Sequence, residues 1–197
     1  VFQDGAGLTQ FTVLPAGNTI VTFRGLGTVR AADADARLPF AVAGFNLNTA
    51  DAWAAGEDNL GGIWPTVWHH ELKTPGTQAF VAAFQKKYGK RPENHAWIEY
   101  VSLKMMAQAM NETKSTDSEK LIAYFESEAQ FDLLKARKGY FRSWDHQLMQ
   151  EAYPFTVKPK GQAKDKQDFL LFGEAVPAPN QPLELLAPTK AESVCKM

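Results

Sequence analysis

Short apolar runs and longer apolar stripes alternate along the chain, and each pattern predicts a different element. Residues 19–23 form a β-branched run that predicts a buried strand, and residues 38–44 predict a second strand. Residues 28–37 predict a helix between them. A strand, a helix and a strand within roughly 30 residues make a βαβ unit, which predicts a parallel sheet. Residues 46–59 are polar and predict no element, whereas residues 61–68 predict another strand.

Three helices are predicted in the middle of the chain. A hydroxyl cap and a proline at residues 74–75 begin the first, and Gly89 ends it. Residues 94–112 predict a second helix that is apolar nearly all round, so we expect it to pack on more than one side. The spacing of Thr116 and Glu119 predicts a capping box that opens the third helix.

The last third of the chain changes to short extended pieces. Strands are predicted within residues 139–144, 148–157 and 169–172. The polar stretch 158–168 predicts a loop, and the prolines of residues 177–188 predict an extended tail.

Charge and composition exclude several classes of function. The chain has 21 Lys and Arg against 22 Asp and Glu, for a net charge of −1, and therefore lacks the basic excess of a nucleic-acid binder. No apolar run approaches the ~20 residues of a membrane-spanning helix. The first residue is Val1, and no signal segment follows it. We expect either a mature exported protein or a piece of a longer one.

Few residues indicate chemistry. Arg24 and the glycines that follow it could bind an anion at a helix start, or the glycines could simply form the turn. A dinucleotide fingerprint is incomplete, because Arg30 stands at its third glycine position. His69 and His70 are adjacent, so on an extended segment they face opposite ways and do not share a metal. We predict no catalytic residue, no metal and no cofactor.

The single cysteine and the tryptophans leave their roles open. Cys195 is either a free surface thiol or the partner of a cysteine outside this chain. Trp64, Trp68, Trp97 and Trp144 lie near predicted element ends, where an α/β sheet opens its ligand crevice. They indicate either a pocket for a small organic molecule or an ordinary aromatic core.

Three local patterns between residues 74 and 147 resemble a known family. They are a helix with aromatic residues four apart that ends in glycine, a helix with alanine four residues before tyrosine, and a Gly-x-Phe before a short β-segment. The residues that carry them are Phe80, Phe84, Tyr88, Gly89, Ala96, Tyr100, Gly139 and Phe141. The chain thereby resembles, over residues 18–197, the C-terminal lobe of the periplasmic branched-chain amino acid binding proteins. These proteins are the substrate-binding components of ABC importers.

The resemblance implies an α/β fold, a three-layer lobe with a mostly parallel sheet that is one of the two lobes of the type I periplasmic binding protein fold. Residues 1–17 match it poorly, residues 18–157 would form the ligand-binding lobe, and residues 158–197 the loop, last strand and Pro-rich tail. We expect a periplasmic protein whose signal segment is not in this chain. It would bind a small molecule between two lobes and deliver it to a membrane permease, without catalysis or nucleic acid. Cys195 would then pair with a cysteine of the missing N-terminal lobe.

The resemblance also implies which residues reach the ligand. They belong to the turn after the first strand, the turn after the second strand and the start of the long helix. These residues are Phe23, Arg24, Gly25, Phe45, Asn46, His95, Ala96 and Trp97.

Asn46 indicates the kind of ligand, because relatives that bind amino acids often carry an acid at this position for the ammonium group. A neutral amide does not pair with that charge, so we expect a ligand other than a plain amino acid. Arg24 would hold its anionic group, and Phe45, His95 or Trp97 would pack its apolar part.

Two other functions remain open from the sequence. The first is a sensory or regulatory domain of the same fold, whose ligand changes a partner protein. The second is an enzyme on an α/β scaffold, with Arg24 and a histidine in the crevice.

Overall fold

The computed structural model of the chain describes residues 11–13, 19–21, 48–57, 60 and 62–193. These residues form four α-helices, seven short strands and one 3-10 helix. In chain order they are β1 (Phe11–Val13), β2 (Thr19–Val21), α1 (Thr49–Ala55), β3 (Trp64–Thr66), α2 (Pro75–Tyr88), α3 (Asn94–Thr113), α4 (Ser118–Glu126), β4 (Tyr140–Phe141), β5 (Leu148–Met149), β6 (Tyr153–Val157), β7 (Leu170–Phe172) and the 3-10 helix Leu183–Leu186.

The chain divides into two compact units. The first unit comprises Val1–Leu47, Asp51–Pro65 and Phe155–Phe172. The second unit comprises Asn48–Ala50, Thr66–Pro154 and Gly173–Met197. Each unit therefore draws on separate parts of the sequence.

The strand predicted at residues 19–23 is confirmed over its first three residues as β2. It pairs antiparallel with β1, with Phe11 opposite Val21. The β4–β5 and β6–β7 pairs are also antiparallel. The helix and second strand of the predicted βαβ unit, residues 28–44, lie outside the described residues, so the parallel pairing stays a prediction.

In the first unit, an aromatic cluster packs between α1 and the β6–β7 pair. Phe155 lies opposite Phe172 across that pair. Ala52 of α1 and Phe169 are buried in the same cluster, and Trp53 packs against it. Helix α1 was not predicted, since residues 46–59 were interpreted as a polar stretch.

In the second unit, α2 begins and ends as the sequence predicts. The Thr74 side chain accepts a hydrogen bond from the Thr77 amide, Pro75 is the first helical residue, and Gly89 adopts φ 68° after the last turn. For α4, the prediction was wrong in one residue, because the cap is Asp117 and not Thr116. The aspartate accepts from the Lys120 amide at 3.2 Å, which is the role the capping box gave to threonine.

The core of the second unit is built around two stacked indoles. Trp68 and Trp97 are both fully buried, and their rings are 6.0 Å apart with an interplanar angle of 4°. Phe131 and Leu133 close the cluster. The Trp68 indole donates to the Thr77 hydroxyl at 3.0 Å, so even the polar edge of the stack is satisfied.

Within the described residues, helix α3 is buried along one side, whereas its composition predicts packing on more than one side. Its buried apolar residues recur every four positions, at Trp97, Val101, Met105 and Ala109. The opposite side is exposed. Of the helices in the described ranges, none is both long and apolar enough to cross a membrane.

A buried cluster of charges lies beside this core. The Lys135 ammonium donates to the Val67 carbonyl at 2.9 Å, to the Gln150 side chain at 2.8 Å and to the Glu151 carbonyl at 2.6 Å. It also lies 5.1 Å from the centre of the Trp97 ring. All three ammonium protons therefore have acceptors, as a buried cation requires.

The Glu151 carboxylate, 1% exposed, is satisfied by the same segment. It accepts from the Ala136 amide at 3.2 Å, from Arg137 Nε at 3.0 Å and from the Tyr153 hydroxyl at 2.6 Å. Arg137 in turn donates to the Pro177 carbonyl at 2.5 Å. The cluster thus fastens residues of the tail to the core.

The titration of Lys135 should make stability depend on pH. Burial lowers its pKa from 10.5 to about 7, while Glu151 raises that pKa and Arg137 lowers it. Between about pH 7 and 9.5 the unfolded chain then binds more protons than the folded chain, so the free energy of unfolding should rise with pH. Above about pH 10 the raised pKa of Tyr153 acts in the opposite direction, because the unfolded chain loses that proton first.

Urea titrations at intervals across that range test this prediction. The rise should be absent in Lys135→Met and present in the control Lys104→Met, whose ammonium forms an ion pair with Asp132 at the surface. An equal rise in both variants would contradict the assignment to Lys135.

Candidate functional site

The start of α3 is closed by its own glutamate. The Glu93 carboxylate accepts from the His95 amide at 2.6 Å and from the Ala96 amide at 2.8 Å. These are two of the amides that a helix start otherwise offers to an anion. A ligand carboxylate would therefore meet a carboxylate here, so the backbone of this helix start does not provide an anion site.

A second set of bonds joins the start of α3 to the start of α1. The Asn94 side-chain oxygen accepts from the Thr49 amide at 3.2 Å and from the Thr49 hydroxyl at 3.3 Å. The backbone amide of Asn94 in turn donates to the Thr49 hydroxyl at 3.3 Å. Both residues are buried, and their pairing holds the two helix starts together.

This pairing positions Asn48 against His95. The Ala50 amide donates to Asn48 Oδ1 at 3.0 Å, which fixes the orientation of the side-chain amide. Asn48 Nδ2 then lies 3.0 Å from His95 Nδ1. Since an amide nitrogen only donates, Nδ1 is the acceptor and the proton of the neutral imidazole is on Nε2.

His95 therefore combines a fixed ring with an open donor. Its side chain is 67% exposed, and its Nδ1 is 4.0 Å from Glu93 Oε2. The Nε2–H group can donate to an oxygen of a small molecule, while the ring face can pack against apolar atoms. These are properties of a binding group.

The other predicted site residues have different places. Trp97 is fully buried, and its indole donates to the Leu133 carbonyl at 2.9 Å, so it supports the helix from the core. Ala96 is half-buried next to His95. The remaining predicted residues and Cys195 lie outside the described residues. These site residues are Phe23, Arg24, Gly25, Phe45 and Asn46.

The polar framework around His95 was missed from the sequence. Asn48 and Thr49 stand before an alanine-rich stretch, which is a pattern typical of a helix start. That signal could have identified α1. It could not have shown that Thr49 binds Asn94, because 45 positions separate the two residues.

His69, the first of the two adjacent histidines, is part of the packed interior. His69 is buried with its ring edge against Tyr153, with centroids 5.3 Å apart. Burial lowers the pKa of His69 to about 3, so the ring is neutral at physiological pH. Within the part of the chain that the structure describes, no group of three or more His, Cys, Asp or Glu side chains could hold a metal ion.

Comparisons with known proteins give a consistent result. The family described as periplasmic binding protein matches residues 10–163. A curated protein of Brucella suis biovar 1, named Leu/Ile/Val-binding protein homolog 7, is 41% identical over 46 residues, which are 23% of this chain and 12% of that protein.

Two solved structures extend the likeness over most of the chain. A periplasmic binding protein from Burkholderia mallei is 24% identical with a TM-score of 0.64, over 76% of this chain and 38% of its own. An ABC-type branched-chain amino acid transporter from Rhodopseudomonas palustris is 26% identical with a TM-score of 0.62, over 79% of this chain and 41% of its own. The chain thus spans about two fifths of the length of these solved relatives.

Proposed function

We propose that this chain, which belongs to the periplasmic binding protein family, is part of the solute-binding component of an ABC importer. It would hold a small carboxylate or amino-acid-like ligand in the periplasm and deliver it to a membrane permease, without altering it. The family and its solved relatives are solute-binding proteins, which supports a role in capture rather than catalysis.

The fixed and exposed imidazole of His95 is the observation that carries this proposal. Asn48 sets its tautomer, and the Thr49–Asn94 pair sets the position of Asn48. A donor held in advance loses little conformational freedom when a ligand binds, which favours affinity. The Nε2–H group suits a ligand oxygen.

The resemblance assigns further residues to ligand binding, and it gives the anionic group of the ligand to Arg24. Glu93 already occupies the amides at the start of α3, so His95 would offer its side chain, and not the helix start, to a ligand oxygen. Phe45 would pack against apolar atoms of the ligand. By the resemblance, Asn46 stands at the position where relatives that bind amino acids often carry an acid for the ammonium group.

Asn46 leads to a choice of ligand class that can be tested directly. A carboxylamide gives an ammonium group a hydrogen bond but no opposite charge, so it lacks the ion pair that a carboxylate would provide. We therefore propose a carboxylate without an ammonium group as the ligand. Leucine and 4-methyl-2-oxopentanoate form a matched pair of probes, because they share the carbon skeleton and the carboxylate.

The experiment is isothermal titration calorimetry on the protein expressed from its complete gene. It should show at least about tenfold tighter binding of 4-methyl-2-oxopentanoate than of leucine. Asn46→Asp should reverse this order, since a carboxylate pairs with the ammonium group. His95→Ala should weaken oxo-acid binding by about tenfold or more.

A matched control is His146→Ala, which removes another exposed imidazole, bound to Glu126. It should leave binding unchanged. Tight leucine binding that Arg24→Ala does not diminish would contradict the proposed ligand class and the role of Arg24.

A further inference from the structure

One side of α3 is an apolar surface that nothing in the described chain covers. Leu103 is 73% exposed and Tyr100 is 47% exposed. Apolar residues recur on this side at helical spacing, with the exposed Glu99 among them. We call these apolar residues the outer face of α3, and they are Ala96, Tyr100, Leu103, Met106, Ala107 and Met110.

The apolar surface continues onto α2 without a break. The Tyr100 ring lies 4.9 Å from Phe80, Phe80 lies 5.8 Å from Phe84, and Phe84 lies 4.6 Å from Tyr88, measured between ring centroids. Tyr88, at the far end of this row, is also exposed. A row of aromatic rings, of which Phe80 and Phe84 are half-buried, thus connects the exposed residues of the two helices, and exposed apolar patches are typical of an interface.

The composition of α3 favours a second packing partner. A helix that is apolar all round is normally buried on more than one side. The Trp97 side of α3 meets the core of its own unit, whereas Leu103 and Met106 on the other side meet solvent. Exposed leucine and methionine side chains at successive turns would gain free energy from a covering surface.

We infer that the outer face of α3 is the docking surface for a further α/β segment of the same binding-protein fold, which completes this unit. The solved relatives match more than three quarters of this chain, yet that match covers 38% and 41% of their own length. More than half of the fold in those proteins is therefore outside the match. This inference rests on the family match and not on the ligand, so the titrations above can fail without affecting it.

Methionine oxidation provides a direct test with built-in controls. Met106 and Met110 belong to the outer face, whereas Met105 and Met149 are buried in the core. In the 197-residue chain, peroxide should oxidise the first two quickly and the last two slowly, as read by peptide mass spectrometry. In the native protein isolated from its source, Met106 and Met110 should be protected at least about tenfold.

Two results would overturn the inference. One is equal oxidation of Met106 and Met110 in the native protein and in the 197-residue chain. The other is protection that already exists in the 197-residue chain and disappears on dilution together with a dimer, which would make a second copy the occupant.

Placing a charge on the outer face of α3 tests whether a further segment covers this face in the native protein. Leu103→Asp should leave the melting temperature of the 197-residue chain within about 2 °C, because the side chain is exposed there. It should lower the melting temperature of the native protein by about 5 °C or more. The control Leu185→Asp, at another exposed leucine, should be neutral in both forms. Neutrality of Leu103→Asp in both forms would contradict the docking surface.

Discussion

Glu151→Gln should lower the free energy of unfolding by about 3 kcal/mol at pH 7. The substitution keeps the size of the side chain and removes the charge that pairs with Arg137. Breaking a buried ion pair by removing one partner costs about 3–5 kcal/mol, because the other charge stays desolvated. Arg137 is 21% exposed and retains access to water, which places the expected loss at the lower end.

The same substitution has a defined pH dependence. Burial raises the pKa of Glu151, but the hydrogen bonds from Tyr153 and Arg137 and the charges of Lys135 and Arg137 together lower it below its usual range. A carboxyl group whose folded pKa is lowered stabilises the protein above its unfolded pKa, near 4.5, and this contribution is lost as the pH falls further. The unfolding curves of the wild type and Glu151→Gln should therefore converge in acid.

Urea unfolding of the two proteins at pH 7 and at pH 3.5 measures both effects. Glu112→Gln is the matched control, because Glu112 lies exposed on α3, and we expect a change within about 0.5 kcal/mol. A loss below about 1 kcal/mol at pH 7 for Glu151→Gln would show that the cluster does not depend on this charge.

The features that the sequence predicted well have local causes. Thr74, Pro75 and Gly89 determine where α2 begins and ends, and each acts within one turn of the helix. The start of α3 at Asn94 is likewise confirmed. The α/β fold class follows from the resemblance, and the family match and the solved relatives confirm it.

The features that could not be predicted depend on distant partners. The strand β2 has the expected composition, but composition does not say that β1 is its neighbour. Helix α1 lies in a stretch rich in polar residues, and its start is held by Asn94 from another part of the chain. Propensity alone is a weak guide where such tertiary contacts decide.

In the candidate site, too, some features could be predicted locally and others depend on distant contacts. His95 was predicted from the resemblance, and the structure adds the Asn48 contact that fixes its tautomer. Trp97 has the same sequence signal as a pocket aromatic and as a core aromatic. The structure places it in the core, where its indole binds Leu133 and stacks on Trp68.

Trp97→Ala should therefore lower the free energy of unfolding by about 3–5 kcal/mol, the range for aromatic-to-alanine changes in a core. The loss combines a cavity beside Trp68, an unsatisfied Leu133 carbonyl and the loss of the ring that faces the Lys135 ammonium. Trp97→Phe should cost less, about 1–3 kcal/mol, because it retains most of the apolar volume.

Leu103→Ala on the same helix provides the control for Trp97→Ala. The two residues lie on opposite sides of α3, and Leu103 is 73% exposed, so its truncation should change the stability of the 197-residue chain by no more than about 0.5 kcal/mol. Urea unfolding followed by far-ultraviolet circular dichroism measures all three variants. Equal losses for Trp97→Ala and Leu103→Ala would mean that α3 is packed on both sides, against the arrangement described above.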